Sequence, residues 1–261
     1  MENCIDMGKK QATLSVIIAA RDEGHQIAAC IRAVAFADEV LVLDSGSRDD
    51  TVALAQQAGA VVHQTDWPGF GLQKRRGVAL ARCDWVLVID ADERVDAALR
   101  QEIVSAIESP SADGYRLPRR SSLCGTFIEH GGWRPDYTLR LVRRAFAGFS
   151  EHTVHEHMTN AGRTADLHTP LIHYSYRDLD DVLVKLNRYS KAGALDLAAR
   201  GESSGLAKAL GKGLWAFLRT YLLRQGFRDG RMGLVLAIYN AQTTYYKYLR
   251  LWMMRRQQGK N

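Results

Sequence analysis

Cysteine is scarce in this chain, and the four present, Cys4, Cys30, Cys83 and Cys124, show no paired spacing. That sets aside a zinc-binding cluster and a disulfide framework, and it fits a reducing compartment. Long apolar runs are missing too. The N-terminus has no apolar stretch, so no signal peptide is expected. No segment approaches the ~18 uninterrupted apolar residues that a membrane-spanning helix needs, so the expectation is a protein that is not integral. Glycines in the Gly-x-Gly-x-x-Gly pattern are absent after the first apolar run, where the chain reads Ala20-Arg21-Asp22-Glu23-Gly24, and this argues against a dinucleotide oxidoreductase. Acids are scarce at one end only. From Leu206 to Asn261 eleven Lys or Arg face a single acid, Asp229, a net +10, so residues 1–205 carry −4 of the chain's +6. The pattern is a basic C-terminal module on a mildly acidic body. No nucleic-acid-binding motif accompanies the charge, so nucleic acid is not an expected partner.

What is present is the material of an ordinary folded protein: 261 residues, 46% of them hydrophobic, enough for one large domain or one domain with an appendage. Residues 13–20, 40–43, 60–63 and 86–89 read as strands, and residues 26–36, 52–58 and 73–82 between them carry helical spacing. This βαβαβαβ order implies a mostly parallel central sheet with helices on both faces, an α/β fold. A helix over 95–107 follows. Past Pro110 the texture shifts to shorter strands at 114–118, 137–142 and 171–174, then to an amphipathic helix over 178–200. Residues 201–205 are the expected hinge, and helices over 206–223 and 232–254 fill a C-terminal helical tail. The expected division is therefore 1–200 as the catalytic domain (1–109 and 110–200 as its halves) and 201–261 as a basic, aromatic-rich tail.

The chemistry concentrates at one strand end. Val86 to Ile89 is an unbroken apolar run, suited to a strand buried on both faces, and it leads into Asp90-Ala91-Asp92-Glu93. Two carboxylates one residue apart point to the same side of a strand and repel unless a cation or proton sits between them. Hard oxygen ligands of this kind suit Mg²⁺ or Mn²⁺ shared with substrate phosphates. A bare Asp-x-Asp is common and signals little alone. Here Glu23 and Asp44 also close strands, and ligands of an open parallel sheet gather outside the carboxyl ends. Asp44 by itself would be an N-cap or turn acid.

Three stretches, Val16 to Glu23, Val42 to Thr51 and Asp84 to Glu93, resemble the family-2 glycosyltransferases of the GT-A fold, and more narrowly the lipopolysaccharide core glucosyltransferases of Gram-negative bacteria. Gly69 to Lys74, Pro135 to Arg144, Val154-His155-Glu156 and His173 to Leu179 extend the likeness over nearly the whole chain. One departure is Asp22, where many relatives carry Asn. The resemblance implies that Ala19, Arg21 and Glu23 line a uridine pocket, that Asp44 reads uracil, and that Lys74 lies near the nucleotide. It implies that Asp90 contacts the ribose side and that Asp92, with Asp90, holds Mg²⁺ or Mn²⁺ at the diphosphate.

The family inverts at the anomeric carbon, which needs one carboxylate to take the acceptor hydroxyl's proton. Glu156 is the first choice and Asp136 the second, with Glu151 a further candidate. His152, His155 and His157 lack a fourth ligand for zinc, and His155 is taken as an acceptor or phosphate contact. Arg140 and Trp133 are assigned to the same group, Arg140 for its charge and Trp133 for stacking on a sugar, with core packing the alternative reading of Trp133. Interleaved aromatics and cations in the tail suit an anionic membrane surface. The expectation is thus a peripheral enzyme at the cytoplasmic face of the inner membrane, moving glucose from UDP-glucose onto an inner-core heptose of a lipid A-linked acceptor. Two alternatives stay open: another nucleotide-sugar or a lipid-phosphate acceptor, and a non-catalytic membrane-associated nucleotide-sugar-binding protein.

Overall fold

The computed structural model describes residues 12–67, 69–149 and 158–258. The first half runs β1 (Leu14–Ala20), α1 (Ile27–Ala33), β2 (Glu39–Asp44), α2 (Thr51–Gln57), β3 (Val61–Gln64), α3 (Phe70–Leu80), β4 (Trp85–Asp90), β5 (Glu93–Arg94) and α4 (Ala97–Glu108). Then come β6 (Gly114–Leu123), β7 (Thr126–Phe127), β8 (Tyr137–Arg143), β9 (Ala147–Phe149), β10 (Met158–Asn160), β11 (Thr164–Asp166) and β12 (Leu171–Tyr176). The chain finishes in α5 (Leu179–Ala199), α6 (Leu206–Leu218) and α7 (Gly230–Gln258).

The main sheet has the order β3-β2-β1-β4-β8-β6-β12-β5. Its first four strands are parallel, as the alternation of strands and helices requires, while β8 runs antiparallel to both β4 and β6. Pairing is in register at the functional end: Ala20 lies opposite Asp44 and Ala19 opposite Asp90. The carboxyl ends of β1, β2 and β4 therefore finish at one level. That is the α/β arrangement expected from the sequence.

Two-residue periodicity sorts the strand side chains onto two faces. Val16 and Ile18 of β1 and Leu87 and Ile89 of β4 join Ile27, Ile31, Leu99 and Ile103 in one core, so α1 and α4 cover that face. Ile17, Val86 and Val88 join Leu41, Leu43 and Val142 in the other, where Val78 of α3 packs. The seating of α3 depends on Gly77. A Cβ built there would lie 2.3 Å from Ile17 Cγ2 and 3.1 Å from Leu43 Cδ2, both on fully buried side chains. Gly77→Ala is therefore expected to destabilise by about 1–3 kcal/mol, overpacking outweighing the helix-propensity gain of alanine. A urea titration would show it as a lower midpoint at unchanged slope. An unchanged midpoint would mean that α3 does not rest on β1 as described.

Internal contacts divide the chain into two units, one comprising the chain up to Arg119 with Tyr137–Ile172, the other Arg120–Asp136 with the chain from His173 onward. In the second unit α7 packs against α5 and α6. Its core joins Leu123, Ile128, Tyr176, Val182, Leu186, Leu236 and Tyr239. The Tyr176 and Tyr239 hydroxyls meet at 2.7 Å, and Trp133 stacks on Tyr176 at 5.8 Å. Where one helix is expected over 206–223, α6 ends at Leu218 and a π-helical turn, Arg219–Leu223, continues it.

Candidate functional site

The apolar run of β4 delivers Asp90 to the sheet edge, and two cations converge on it. Lys74 Nζ of α3 lies 2.6 Å from Asp90 Oδ1, and Arg140 Nη2 of β8 lies 2.9 Å from Asp90 Oδ2. The same Arg140 nitrogen lies 2.6 Å from Glu93 Oε1. Glu93 Oε2 in turn accepts the Asp90 backbone N–H at 2.9 Å. Glu93 is fully buried and Arg140 nearly so, whereas the Asp90 side chain keeps 30% of its surface open. Burial alone would raise the Asp90 carboxyl, but Lys74 and Arg140 outweigh it and hold the group well below the usual carboxylate range. Burial likewise opposes the charge on Arg140, and Glu93 and Asp90 reverse that effect, so both partners stay ionised.

Asp92 follows in the turn after β4 and is half-buried. Among the described residues no three His, Cys, Asp or Glu form a self-sufficient metal cage. The donor set nonetheless fits an ion of the Mg²⁺ kind, which commonly takes one or two carboxylates and completes its shell from phosphate and water. Below the cluster, burial pushes the Cys30 thiol up to about 12 and keeps it inert, its Sγ 3.6 Å from the Asp90 carbonyl oxygen.

The β1 and β2 loops are laced together beside this cluster. Asp44, buried, accepts the Gly46 and Ser47 N–H groups at 3.1 Å each and the Ser47 hydroxyl, so its carboxylate builds the turn. Asp22 has φ +55°, a left-handed conformation that Asp and Asn adopt more readily than most residues. Its N–H donates to Ser47 Oγ at 2.9 Å and its Oδ1 accepts the Arg48 N–H at 2.8 Å. Glu23 is half-buried and accepts from Gln26 Nε2 at 2.7 Å, while its own N–H donates to Thr51 Oγ1 at 2.8 Å. Ala19 is half-buried at the end of β1, and Arg21 is exposed. Gln73, buried, donates to Ser45 Oγ at 3.0 Å and so ties α3 to the end of β2.

The structure thus brings Ala19, Glu23, Asp44, Lys74, Asp90 and Asp92 to the ends of β1, β2 and β4 and to the face of α3 beside them. Arg140, assigned from sequence to phosphate or acceptor, instead spends its charge inside on Asp90 and Glu93. Glu93 was visible as a third acid, but its part as the buried bracket between Arg140 and the Asp90 amide was not.

Trp133 and Asp136 belong to the second unit, on the segment between β7 and β8. The tail holds the start of that segment. Asp229 accepts the Glu129 N–H at 3.3 Å and the His130 N–H at 2.8 Å, and pairs with His130 Nδ1 at 2.9 Å. The Gly131 N–H donates to the Arg224 carbonyl at 2.8 Å. The only acid of the basic tail is therefore a structural fastener. Glu151, His152, His155, Glu156 and His157 lie outside the described residues.

Residues 15–167 match the family model described as "Glycosyl transferase family 2". An uncharacterised glycosyltransferase of Rickettsia felis is 30% identical over 258 residues, 93% of this chain and 89% of that one. The lipopolysaccharide core biosynthesis glycosyltransferase LpsC of Rhizobium meliloti is 31% identical over 240 residues, 87% of each chain. Among solved structures, glucosyl-3-phosphoglycerate synthase of Mycobacterium tuberculosis, in complex with Mn²⁺, UDP and glucosyl-3-phosphoglycerate, is 28% identical at a TM-score of 0.36. That match covers 44% of this chain and 45% of the synthase, so the chain spans less than half of that structure's length.

Proposed function

The chain belongs to glycosyl transferase family 2, and from that premise we propose an inverting, metal-dependent transferase that moves glucose from UDP-glucose onto an inner-core heptose of lipopolysaccharide. The acceptor class is supported by the similarity, over most of both chains, to a lipopolysaccharide core biosynthesis enzyme. The observation that carries the reading is the strand-end cluster inside the family-2 region. Asp90 is fixed by Lys74 and Arg140 over a buried Glu93, with Asp92 two residues on.

In this reading the two aspartates divide the labour. Asp90, committed to its two cations, presents a rigid edge toward the ribose. Asp92 would hold Mg²⁺ or Mn²⁺, and the bound ion would supply positive charge beside the UDP leaving group. Ala19, Arg21 and Glu23 border the uridine, and Asp44 shapes the turn against which uracil rests. Lys74, beside Asp90, lends positive charge to the nucleotide side. The acceptor hydroxyl oxygen attacks the anomeric carbon, the bond to the UDP oxygen breaks, and the hydroxyl proton passes to a carboxylate. Glu156 fills that role, with Asp136 as the other candidate, and His155 and Trp133 contribute to acceptor binding. The enzyme works at the cytoplasmic face of the inner membrane, where a lipid A-linked acceptor is presented. No described helix is long and apolar enough to cross that membrane.

The test is transfer of labelled glucose from UDP-glucose to a heptose-terminated lipid acceptor, with the product linkage read out. Absence of transfer from any UDP-sugar would overturn the reading, and transfer from a different UDP-hexose would replace only the donor. In the same assay Glu156→Gln should slow the chemical step at least ~10²-fold with UDP binding nearly unchanged. If Asp136→Asn shows that profile instead, the two carboxylates exchange roles.

A further inference from the structure

Arg94 closes the short strand β5 and is half-buried. Its guanidinium reaches back to the turn that precedes it. Nη1 donates to the Ala91 carbonyl at 2.7 Å and to the Glu93 carbonyl at 2.8 Å. Those carbonyls belong to the peptide groups that enclose residues 92 and 93, so one nitrogen holds the curvature of the turn that carries Asp92. Because a peptide unit is planar, fixing the Ala91 carbonyl also fixes the plane from which Asp92 departs. The second terminal nitrogen leaves this turn. Nη2 donates to the Gln26 carbonyl at 3.0 Å, sixty-eight residues earlier in sequence. Gln26 is bound to Glu23 through main chain and side chain: its N–H donates to the Glu23 carbonyl at 3.0 Å and its Nε2 to Glu23 Oε2 at 2.7 Å. One planar group therefore joins the loop after β1 to the turn after β4.

The β1 and β2 loops are already laced by Asp22, Ser47 and Thr51, and Arg94 supplies the corresponding tie between β1 and β4. We propose that Arg94 is a positioning residue, which locks the Asp92 turn and the Glu23 loop into one unit so that a divalent ion and a nucleoside each strengthen the other's binding. The inference rests on the assignment of Asp92 to the ion and of Glu23 to the uridine made above. Arginine suits the task because its donors sit on separate nitrogens of one rigid plane, so it can hold two segments at a set separation. A ligand that orders one loop then orders the other as well, and the second ligand meets a site whose ordering entropy has already been lost. Without the tie each ligand orders its own loop alone. Charge attraction between ion and diphosphate persists in either case, so removing Arg94 reduces the coupling and does not abolish it.

The test is a binding measurement and needs no turnover. Calorimetry would give the affinity for UDP with and without Mn²⁺, corrected for the ion–nucleotide complex in free solution, and the affinity for uridine alone. It would be run on the unaltered protein, Arg94→Lys and Arg94→Met, well below their melting temperatures. The strengthening of UDP binding by Mn²⁺ should fall at least about fivefold in both variants. Lysine keeps the charge but offers a single nitrogen, so it should not rescue the effect. Uridine alone should bind both variants nearly as tightly as the unaltered protein. Ile107→Val, in the same core beside Leu14 at the amino end of β1, serves as the control for stability. It should lower the melting temperature and leave the coupling unmoved. Undiminished coupling in Arg94→Lys or in both variants overturns the inference. So does an equal loss in Ile107→Val, or a loss of uridine binding large enough to account for the whole effect. An unaltered protein whose UDP binding ignores Mn²⁺ would overturn the metal reading and this inference together, so the unaltered protein tells the two failures apart.

Discussion

Replacing Asp92 by Asn should cost at least ~10²-fold in transfer rate while leaving the melting temperature almost unmoved. The magnitude is that of removing one group that stabilises charge in the transition state. The small effect on the fold follows from position: Asp92 sits half-buried in a turn, and its charge acts on Arg140 less than those of Glu93 and Asp90 do. Chelation should stop transfer by the unaltered enzyme, and added Mn²⁺ or Mg²⁺ should restore it. Calorimetry should show UDP binding strengthened by metal in the unaltered protein and indifferent to metal in the Asn variant. Asp90→Asn should behave differently. It leaves Lys74 and Arg140 facing a neutral amide, so it should lower the melting temperature along with activity. Full activity in EDTA would end the metal assignment, and identical melting losses in the two Asn variants would end the division of labour between them.

The second large effect is on stability. Arg140→Met should destabilise by about 3–5 kcal/mol, because it removes the nearest cation from a fully buried Glu93 carboxylate and one of two cations from Asp90. Arg119 Nη1, 3.9 Å from Glu93 Oε1, is the weaker, more distant cation that remains. The double variant Arg140→Met, Glu93→Leu should recover part of the loss, since it also removes the buried charge, although the Asp90 N–H then loses its acceptor.

The deficit should also depend on pH. Because the folded Asp90 carboxyl lies below its unfolded value, its contribution is fully present above about pH 4 and fades as pH falls toward the folded value. Arg140→Met depresses that carboxyl less, so the gap between variant and parent should narrow below about pH 4. Urea titrations from neutral to acid pH would measure it. A gap that stays constant would mean that Arg140 contributes through packing alone.

The pattern of apolar runs and helical spacing by itself determined the α/β order, because a buried parallel strand must be apolar on both faces and its crossover helix on one. It also determined which strand ends carry acids, and hence the family resemblance at Glu23, Asp44, Asp90 and Asp92. Boundaries moved by a few residues, as when α3 begins at Phe70 rather than Gln73, since helix ends are set by local capping and packing. Distant pairing is what the pattern could not carry. Arg140 reads as one of several cations alternating with apolar residues along β8. Only the antiparallel docking of β8 on β4, with Leu141 opposite Leu87, turns it inward to Asp90 and Glu93. Asp229 reads as a stray acid in a basic tail, yet three-dimensional packing makes it the partner of His130, ninety-nine residues away in sequence. Composition marked the tail as basic and aromatic-rich. It could not say which face of α6 looks outward, because leucine stripes face a core in most helices. Here Gly213 and Ala209, which permit close approach to α7, took the inner side, and the leucines were left to the surface.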